Sequence, residues 1–313
     1  MASELARVLD GLRAAGVLTV PFKGPAFAAL IGQGTGSREM TDLDLLIRPS
    51  DVLAGVRALA PLGYAPTLSP QALASSWLTT VTSELALLGH HDTMLIELHW
   101  QLSPHWYPAP GTVDDVMARL TERDFLDSRI HWPAAEELLL IHVADGMKSC
   151  GNGLRWMADI AQVLRRNADL DWARVGREAA GSGGLNSVRV ALAVVEDLSR
   201  ETALMLNAPA LAVVLPPAAR GLADDARRVP RLAQAVRSIR ERLSADVWVS
   251  GAVPHFLWAL RLADHPARVA RAIVRYLGEP MVVDLAAMPS HSESGARLRW
   301  HALRRRVVTL FGD

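Results

Sequence analysis

The sequence of 313 residues contains very little cysteine and very little lysine. Its single cysteine, Cys150, excludes a disulfide framework and fits a protein of a reducing compartment, which we expect to be cytoplasmic. Lys23 and Lys148 are the only lysines among 33 basic residues, and arginine fills every other basic position. The two lysine positions are therefore candidates for a specific role.

The sequence also lacks a surplus of charge and a long apolar run. Its 33 acidic residues balance 33 basic ones, whereas a general nucleic-acid binder carries a basic surplus. No stretch approaches the roughly 20 apolar residues that span a bilayer. Residues 1–16 carry the charge pattern of an amphipathic helix and lack the layout of a signal peptide. We expect no membrane association, and the charge balance gives no strong indication of nucleic-acid binding. The oligomeric state stays open.

The distribution of apolar residues predicts two regions. Half of the residues are apolar, and a chain of this length corresponds to about two domains. Over residues 1–110, short β-branched runs alternate with helical patterns, which predicts a small mixed sheet with flanking helices. Residues 111–313 are mostly helical in pattern. We predict the α+β fold class, with an α/β domain over 1–110 and a helical domain over 111–313 that closes a cleft.

Carboxylates alternate with leucines in the segment TDLDLLI. On a strand, Asp42 and Asp44 share one face about 7 Å apart, and Leu43 and Leu45 face the core. Paired carboxylates repel each other unless a cation lies between them, and Mg²⁺ takes oxygen ligands. Glu97 in LIELHW alternates with apolar neighbours in the same way and would complete an acidic metal site. Taken alone, the Asp-x-Asp pattern is also typical of an ordinary half-buried strand edge.

The upstream segment VPFKGPAF predicts a strand followed by a helix. Lys23 would add a point charge for a phosphate group, and Gly24 would let a ligand approach the backbone. The N-terminus of the following helix favours anions. An ordinary strand-to-helix turn with an exposed lysine explains the same residues, so these residues alone leave both interpretations open.

Together, these segments resemble the uncharacterised bacterial nucleotidyltransferase family within the DNA polymerase β-like superfamily. Members have a strand ending in Lys-Gly, an arginine before Asp-x-Asp, a helix ending near Gly-Tyr and a later Glu-x-His-Trp strand. The matching positions here are Lys23, Gly24, Arg38, Asp42, Asp44, Gly63, Tyr64, Glu97, His99 and Trp100. The resemblance covers residues 5–170 well and the C-terminal third loosely.

The resemblance implies Mg²⁺-dependent transfer of a nucleoside monophosphate from an NTP, such as ATP, to a hydroxyl-bearing acceptor, with Mn²⁺ as an alternative cation. The acceptor would be a small molecule, a sugar or a peptide, selected by the helical domain. The implied catalytic and metal-binding residues are Asp42, Asp44 and Glu97, with Glu97 acting as a ligand or as the base. The implied substrate-binding residues are Lys23, Gly24, Arg38, His99 and Trp100.

The sequence departs from the resemblance at two places. Pro25 stands where the superfamily usually has a serine. Where the family often has a second histidine shortly after His142, this sequence has Gly146 and Lys148, so we assign His142 no catalytic role. Alternatives from other classes are a non-catalytic nucleotide-binding scaffold and a toxin-like transferase that modifies tRNA or protein.

The histidines at positions 90, 91, 99 and 105 suggest zinc, but they lack the spacing of a zinc hydrolase. Trp100 and Trp106 would stack on a base or belong to the core.

Overall fold

A computed structural model gives the fold and describes residues 1–31, 40–75, 78–89, 94–104, 106–208, 212–245 and 247–278. These residues pack into two compact units. The first unit comprises the described parts of 1–104, 116–133 and 274–313, and the second those of 105–115 and 134–273. The predicted domain boundary at residue 110 lies within residues 105–115, which belong to the second unit. The residues that follow, 116–133, belong to the first unit again.

The first unit combines short helices with all of the described strands. Its helices are α1 (Ala2–Ala14), α2 (Gly24–Leu30), α3 (Val52–Leu59), α4 (Pro70–Leu73) and α5 (Leu78–Val81). Its strands are β1 (Val20–Pro21), β2 (Asp42–Leu46), β3 (Tyr64–Pro66), β4 (Glu84–Gly89), β5 (Leu95–His99), β6 (Leu120–Phe125) and β7 (Ser128–Pro133). Two 3₁₀ turns, Pro49–Asp51 and Ala60–Leu62, flank α3, and α6 (Val113–Met117) precedes β6.

Strands β1 to β5 form one mixed sheet in the order β1-β2-β5-β4-β3. Strands β2 and β5 are parallel, and the other neighbouring pairs are antiparallel. Strands β6 and β7 form a separate antiparallel pair that the sequence analysis did not predict. The small mixed sheet and its flanking helices confirm the predicted α+β fold class.

One face of the five-stranded sheet is apolar and forms the core of the first unit. Leu43 and Leu45 of β2 and Ile96 and Leu98 of β5 are at most 1% exposed. Helix α3 packs closely here, because a Cβ at Gly55 would lie only 3.4 Å from Leu98 Cδ1. Since side chains alternate along a strand, burial of this face fixes the polar residues between these positions on the opposite face.

The second unit is helical, which confirms the predicted helical C-terminal region. Its helices are α7 (Ala135–Lys148), α8 (Arg155–Arg166), α9 (Trp172–Ser182), α10 (Leu185–Met205), α11 (Pro217–Arg228), α12 (Pro230–Ala245), α13 (Ala252–Leu262) and most of α14 (Pro266–Gly278). None of the helices in the described ranges has the length and apolar character that crossing a membrane requires.

Prolines set the ends of three helices in the C-terminal region. Residues 253–277 have helical spacing throughout, and the structure divides them into two helices, because α13 ends at Leu262 and α14 begins at Pro266. A proline lacks an N–H group and disfavours helical geometry in the residue before it, so the helix cannot run through this point. In the stretch 209–228, which also has helical spacing, α11 begins at Pro217, directly after Pro216.

Candidate active site

Three neighbouring strands place acidic side chains on the polar face of the sheet. Asp44 of β2 is in register with Glu97 of the parallel strand β5, and Glu84 of β4 is in register with His99 of β5. Asp42 lies two residues before Asp44 and therefore on the same face, where it is half-buried. We call the four carboxylates Asp42, Asp44, Glu84 and Glu97 the acidic face.

His99 contacts three carboxylates of the acidic face. Its Nε2 lies 3.1 Å from Asp44 Oδ1 and 3.4 Å from Glu97 Oε2. Its Nδ1 lies 3.1 Å from Glu84 Oε2. Burial by itself lowers the pKa of the imidazole, but the hydrogen bonds to the three carboxylates outweigh burial and raise the pKa to about 10. The imidazolium therefore neutralises part of the acidic charge at neutral pH.

Lys23 provides a second positive charge beside Asp44. It is the residue that precedes α2, and its Nζ lies 3.6 Å from Asp44 Oδ1. The ammonium also lies 5.2 Å from the centre of the Phe22 ring, and the centre of that ring lies 5.4 Å from the centre of the His99 ring, with the two rings nearly perpendicular. The structure thus brings the predicted phosphate-binding lysine to the acidic face. The buried Phe22 ring lies next to both Lys23 and His99.

Gly24 begins α2 with a φ of +61°, in the left-handed region that favours glycine. A Cβ at this position would lie 3.9 Å from the backbone oxygen of Asp42, so Gly24 adjoins the start of β2. Arg38, the other predicted phosphate-binding residue, lies outside the described residues.

Two predicted base-stacking residues are buried. Trp100 is 2% exposed, and its Nε1–H donates to the backbone oxygen of Thr82 at 2.8 Å. Trp106, in the second unit, meets the Phe256 ring edge-on at 4.9 Å. Both side chains therefore serve packing in this structure, and a stacking role for Trp100 stays a prediction.

Asp44, Glu97 and His99 form the ligand group, in which one ligand atom from each residue lies within 4.8 Å of the other two. Two carboxylates suit a hard cation such as Mg²⁺ or Mn²⁺, and an imidazole nitrogen suits transition metals. The donors therefore fit a divalent cation. Asp42 shares the strand face with Asp44, and its predicted role as a ligand stays a prediction. Histidines 90, 91 and 105 of the zinc alternative lie outside the described residues.

Comparison with protein families assigns the sheet and the first helices to a known class. Residues 1–199 match the model of a family described as an uncharacterised nucleotidyltransferase. The chain belongs to this family. The match contains the whole acidic face of the nucleotidyltransferase, together with Lys23 and His99, and it confirms the predicted enzyme class.

Further comparisons add one structure and no curated relative. No curated protein matches this nucleotidyltransferase. A solved structure with 12% sequence identity covers 66% of this chain and 95% of its own, with a TM-score of 0.39. That structure is the solution structure of the antibiotic-resistance factor ANT(2'')-Ia, which is described as having substrate-regulated conformation dynamics.

Glu84 and Phe22 are two residues of the site that were not predicted from the sequence. Glu84 lies in the stretch 75–89, whose pattern fits helix or strand, and which the structure divides into α5 and β4. The segment ELALLG has an alternating pattern, and Leu85 and Leu87 are buried while Glu84 lies between solvent and His99. This alternation is the sequence signal that would have identified Glu84. Phe22 carries no local signal, because its role depends on the position of His99 in β5.

Proposed function

We propose that this nucleotidyltransferase transfers a nucleoside monophosphate from an NTP to a hydroxyl group on a small molecule, sugar or peptide, with Mg²⁺ or Mn²⁺ as the cofactor. The observation that carries the proposal is the pairing of Asp44 with Glu97 on adjacent parallel strands, with Lys23 Nζ 3.6 Å from Asp44. A site for nucleotide transfer needs carboxylates for a cation and a positive charge for phosphate, and both occur here within one cluster.

The acidic face would hold the cation through Asp42, Asp44 and Glu97. When bound, the cation supplies positive charge that stabilises the attacking and leaving oxygens of a phosphoryl displacement. The Asp44 side chain is 9% exposed and Glu97 is 24% exposed, so Glu97 is the more open of the two carboxylates. We assign Glu97 the additional role of accepting the proton of the acceptor hydroxyl.

Lys23 and Gly24 would bind the triphosphate. The Lys23 side chain is 21% exposed, so its ammonium can contact a ligand in solvent as well as Asp44. An ammonium is a compact point charge that binds phosphate well. Gly24 has no side chain to obstruct a phosphate near the start of β2, and Arg38 is proposed as a second phosphate-binding residue.

The test is label transfer from α-³²P-labelled NTPs, with cell extract as the source of acceptors and pyrophosphate release as a second readout. We expect one NTP to label an extract component in proportion to released pyrophosphate, and EDTA to abolish both signals. Absence of pyrophosphate release with every NTP, by a protein that binds Mg-ATP or Mg-CTP in calorimetry, would instead favour the scaffold alternative. Label found in tRNA or protein by mass spectrometry would favour the toxin-like alternative.

A further inference from the structure

The two nitrogen atoms of His99 have different surroundings. Nδ1 lies 3.1 Å from Glu84 Oε2. Nε2 faces the gap between Asp44 and Glu97, at 3.1 Å and 3.4 Å from their nearest oxygens. The ring is thus held so that one nitrogen contacts an orienting carboxylate, and the other nitrogen converges with the oxygens that would bind a cation.

This arrangement matches the way proteins present histidine to metals. A metal-binding histidine almost always donates its second N–H group to a carboxylate, a carbonyl or water, which fixes the ring orientation and the tautomer. Glu84 occupies that orienting position, and the Phe22 ring packs nearly perpendicular to the His99 ring, with the ring centres 5.4 Å apart. Restraint of the His99 ring on two sides makes its Nε2 a fixed donor atom.

The ligand group is more open to solvent on one side. The His99 side chain is 4% exposed, so the ring lies below the surface, whereas Glu97 is 24% exposed and opens the group toward solvent. The residue in register with Glu97 on β4 is Ala86, which adds little bulk beside it. The Glu97 side is therefore the more open approach to the ligand group for an ion.

We propose that His99 Nε2 is a metal ligand beside Asp44 and Glu97, and that Glu84 is the positioning residue that orients its ring. The inference rests on the proposed function only for the presence of a divalent cation. A nitrogen donor among carboxylates shifts preference from Mg²⁺, which takes oxygen ligands, toward transition metals. We therefore infer that the site binds Mn²⁺ in preference to Mg²⁺.

The first experiment is pulsed EPR of Mn²⁺ bound to the full chain, with no nucleotide present. Imidazole nitrogen bound to Mn²⁺ gives a ¹⁴N hyperfine coupling, which changes to the ¹⁵N pattern when the protein carries ¹⁵N-labelled histidine. We expect this coupling in the wild type and in the control variant His131→Asn, which changes a histidine of β7 outside the ligand group. Absence of histidine coupling in the wild type would overturn the inference, and this result does not depend on the folding of any variant.

The second experiment compares Mn²⁺ and Mg²⁺ affinities by calorimetry in variants with wild-type circular dichroism. His99→Asn should lose the nitrogen coupling and most of the preference for Mn²⁺. Glu84→Gln should retain the coupling but bind Mn²⁺ about 10-fold more weakly, the usual effect of losing an orienting partner. Coupling that persists in His99→Asn, or unchanged affinity in Glu84→Gln, would overturn the ligand or the positioning assignment respectively.

The two proposals fail separately. A protein that binds Mn²⁺ through His99 but transfers no nucleotide would refute the proposed function and leave the His99 ligand in place. An active transferase whose Mn²⁺ shows no histidine coupling would refute only the inference about His99.

Discussion

Each unit of the molecule buries a cluster of opposite charges, and the clusters differ in the group that carries the positive charge. In the second unit, Arg174 is 7% exposed and contacts three glutamates of α7 and α9. Its Nη2 pairs with Glu137, and its Nε donates to Glu178 Oε1 at 2.6 Å. In the first unit, the acidic face meets the imidazole of His99 and the ammonium of Lys23.

The difference between a guanidinium and these two cations explains the different roles of the clusters. A guanidinium stays protonated, and its planar donors hold several carboxylates at once, so Arg174 joins α9 to α7. An imidazole can exchange its proton for a metal ion, and a lysine ammonium can move to another anion. We therefore infer that the cluster of the second unit is structural, and we propose that the cluster of the first unit accepts a ligand.

The largest expected effect is loss of nucleotide transfer in Asp44→Asn. An amide binds a divalent cation poorly, so we expect transfer to fall by about 1,000-fold, the scale of losing one key electrostatic contact to a transition state. Label transfer and pyrophosphate release measure the effect, and circular dichroism should show an intact fold. The control is Asp124→Asn, since the Asp124 side chain on β6 is 92% exposed and should leave activity unchanged. Equal activity in the two variants would remove Asp44 from the site.

The second effect concerns the free energy of unfolding and the charge cluster around Arg174 in the second unit. Arg174→Ala leaves Glu137, which is 1% exposed, without its closest cation and should lower the free energy of unfolding by about 3–5 kcal/mol. Urea denaturation followed by circular dichroism measures this change. Arg129→Ala is the matched control, because the Arg129 side chain is 67% exposed and its ion pairs should contribute less than about 1 kcal/mol. A small loss in Arg174→Ala would contradict the structural role of the second cluster.

The third effect separates the two lysines of the chain. Lys23→Met should lower kcat/KM for the NTP by about 10- to 100-fold, the value of a hydrogen bond to a charged group. Lys148 offers the matched control, because it pairs with Asp145 at 3.4 Å within α7 of the second unit. Lys148→Met should leave kcat/KM unchanged. Similar losses in both variants would contradict a specific phosphate contact by Lys23.

The fourth effect is a pH dependence of stability that originates in the first unit. Contacts with carboxylates raise the pKa of His99 from its ordinary value of 6.5 to about 10 although burial opposes this. The contribution of these contacts is therefore complete below pH 6.5 and is lost as the pH rises toward 10. In EDTA, the wild type should lose stability over this range, and His99→Asn should show a flatter profile. Parallel profiles of the two proteins in urea denaturation would contradict this assignment.

The sequence was enough to predict one strand of the site, because alternation is a local property. In TDLDLLI, the leucines identify the buried face and thereby place Asp42 and Asp44 on the other face. The same reasoning identified Glu97 of β5. The helical region was equally predictable from its apolar spacing, except where Pro266 and the Pro216-Pro217 pair delay or divide helices.

Strand pairing was not predictable, and the remaining site residues depend on it. The order β1-β2-β5-β4-β3 brings Glu84 opposite His99 and Asp44 beside Glu97, although each pair is separated by 15 to 53 residues in sequence. A single sequence contains no signal for such register. Burial of Cys150 was likewise visible only in the structure, where burial raises the pKa of its thiol to about 11 and makes it a poor nucleophile.

The most direct test of the central claim is a crystal structure with Mn²⁺ and a non-hydrolysable NTP analogue. We predict an anomalous Mn²⁺ peak bound by Asp44 and Glu97, with the triphosphate in contact with the ammonium of Lys23. A nucleotide bound elsewhere, with no anomalous peak at the acidic face, would contradict the account.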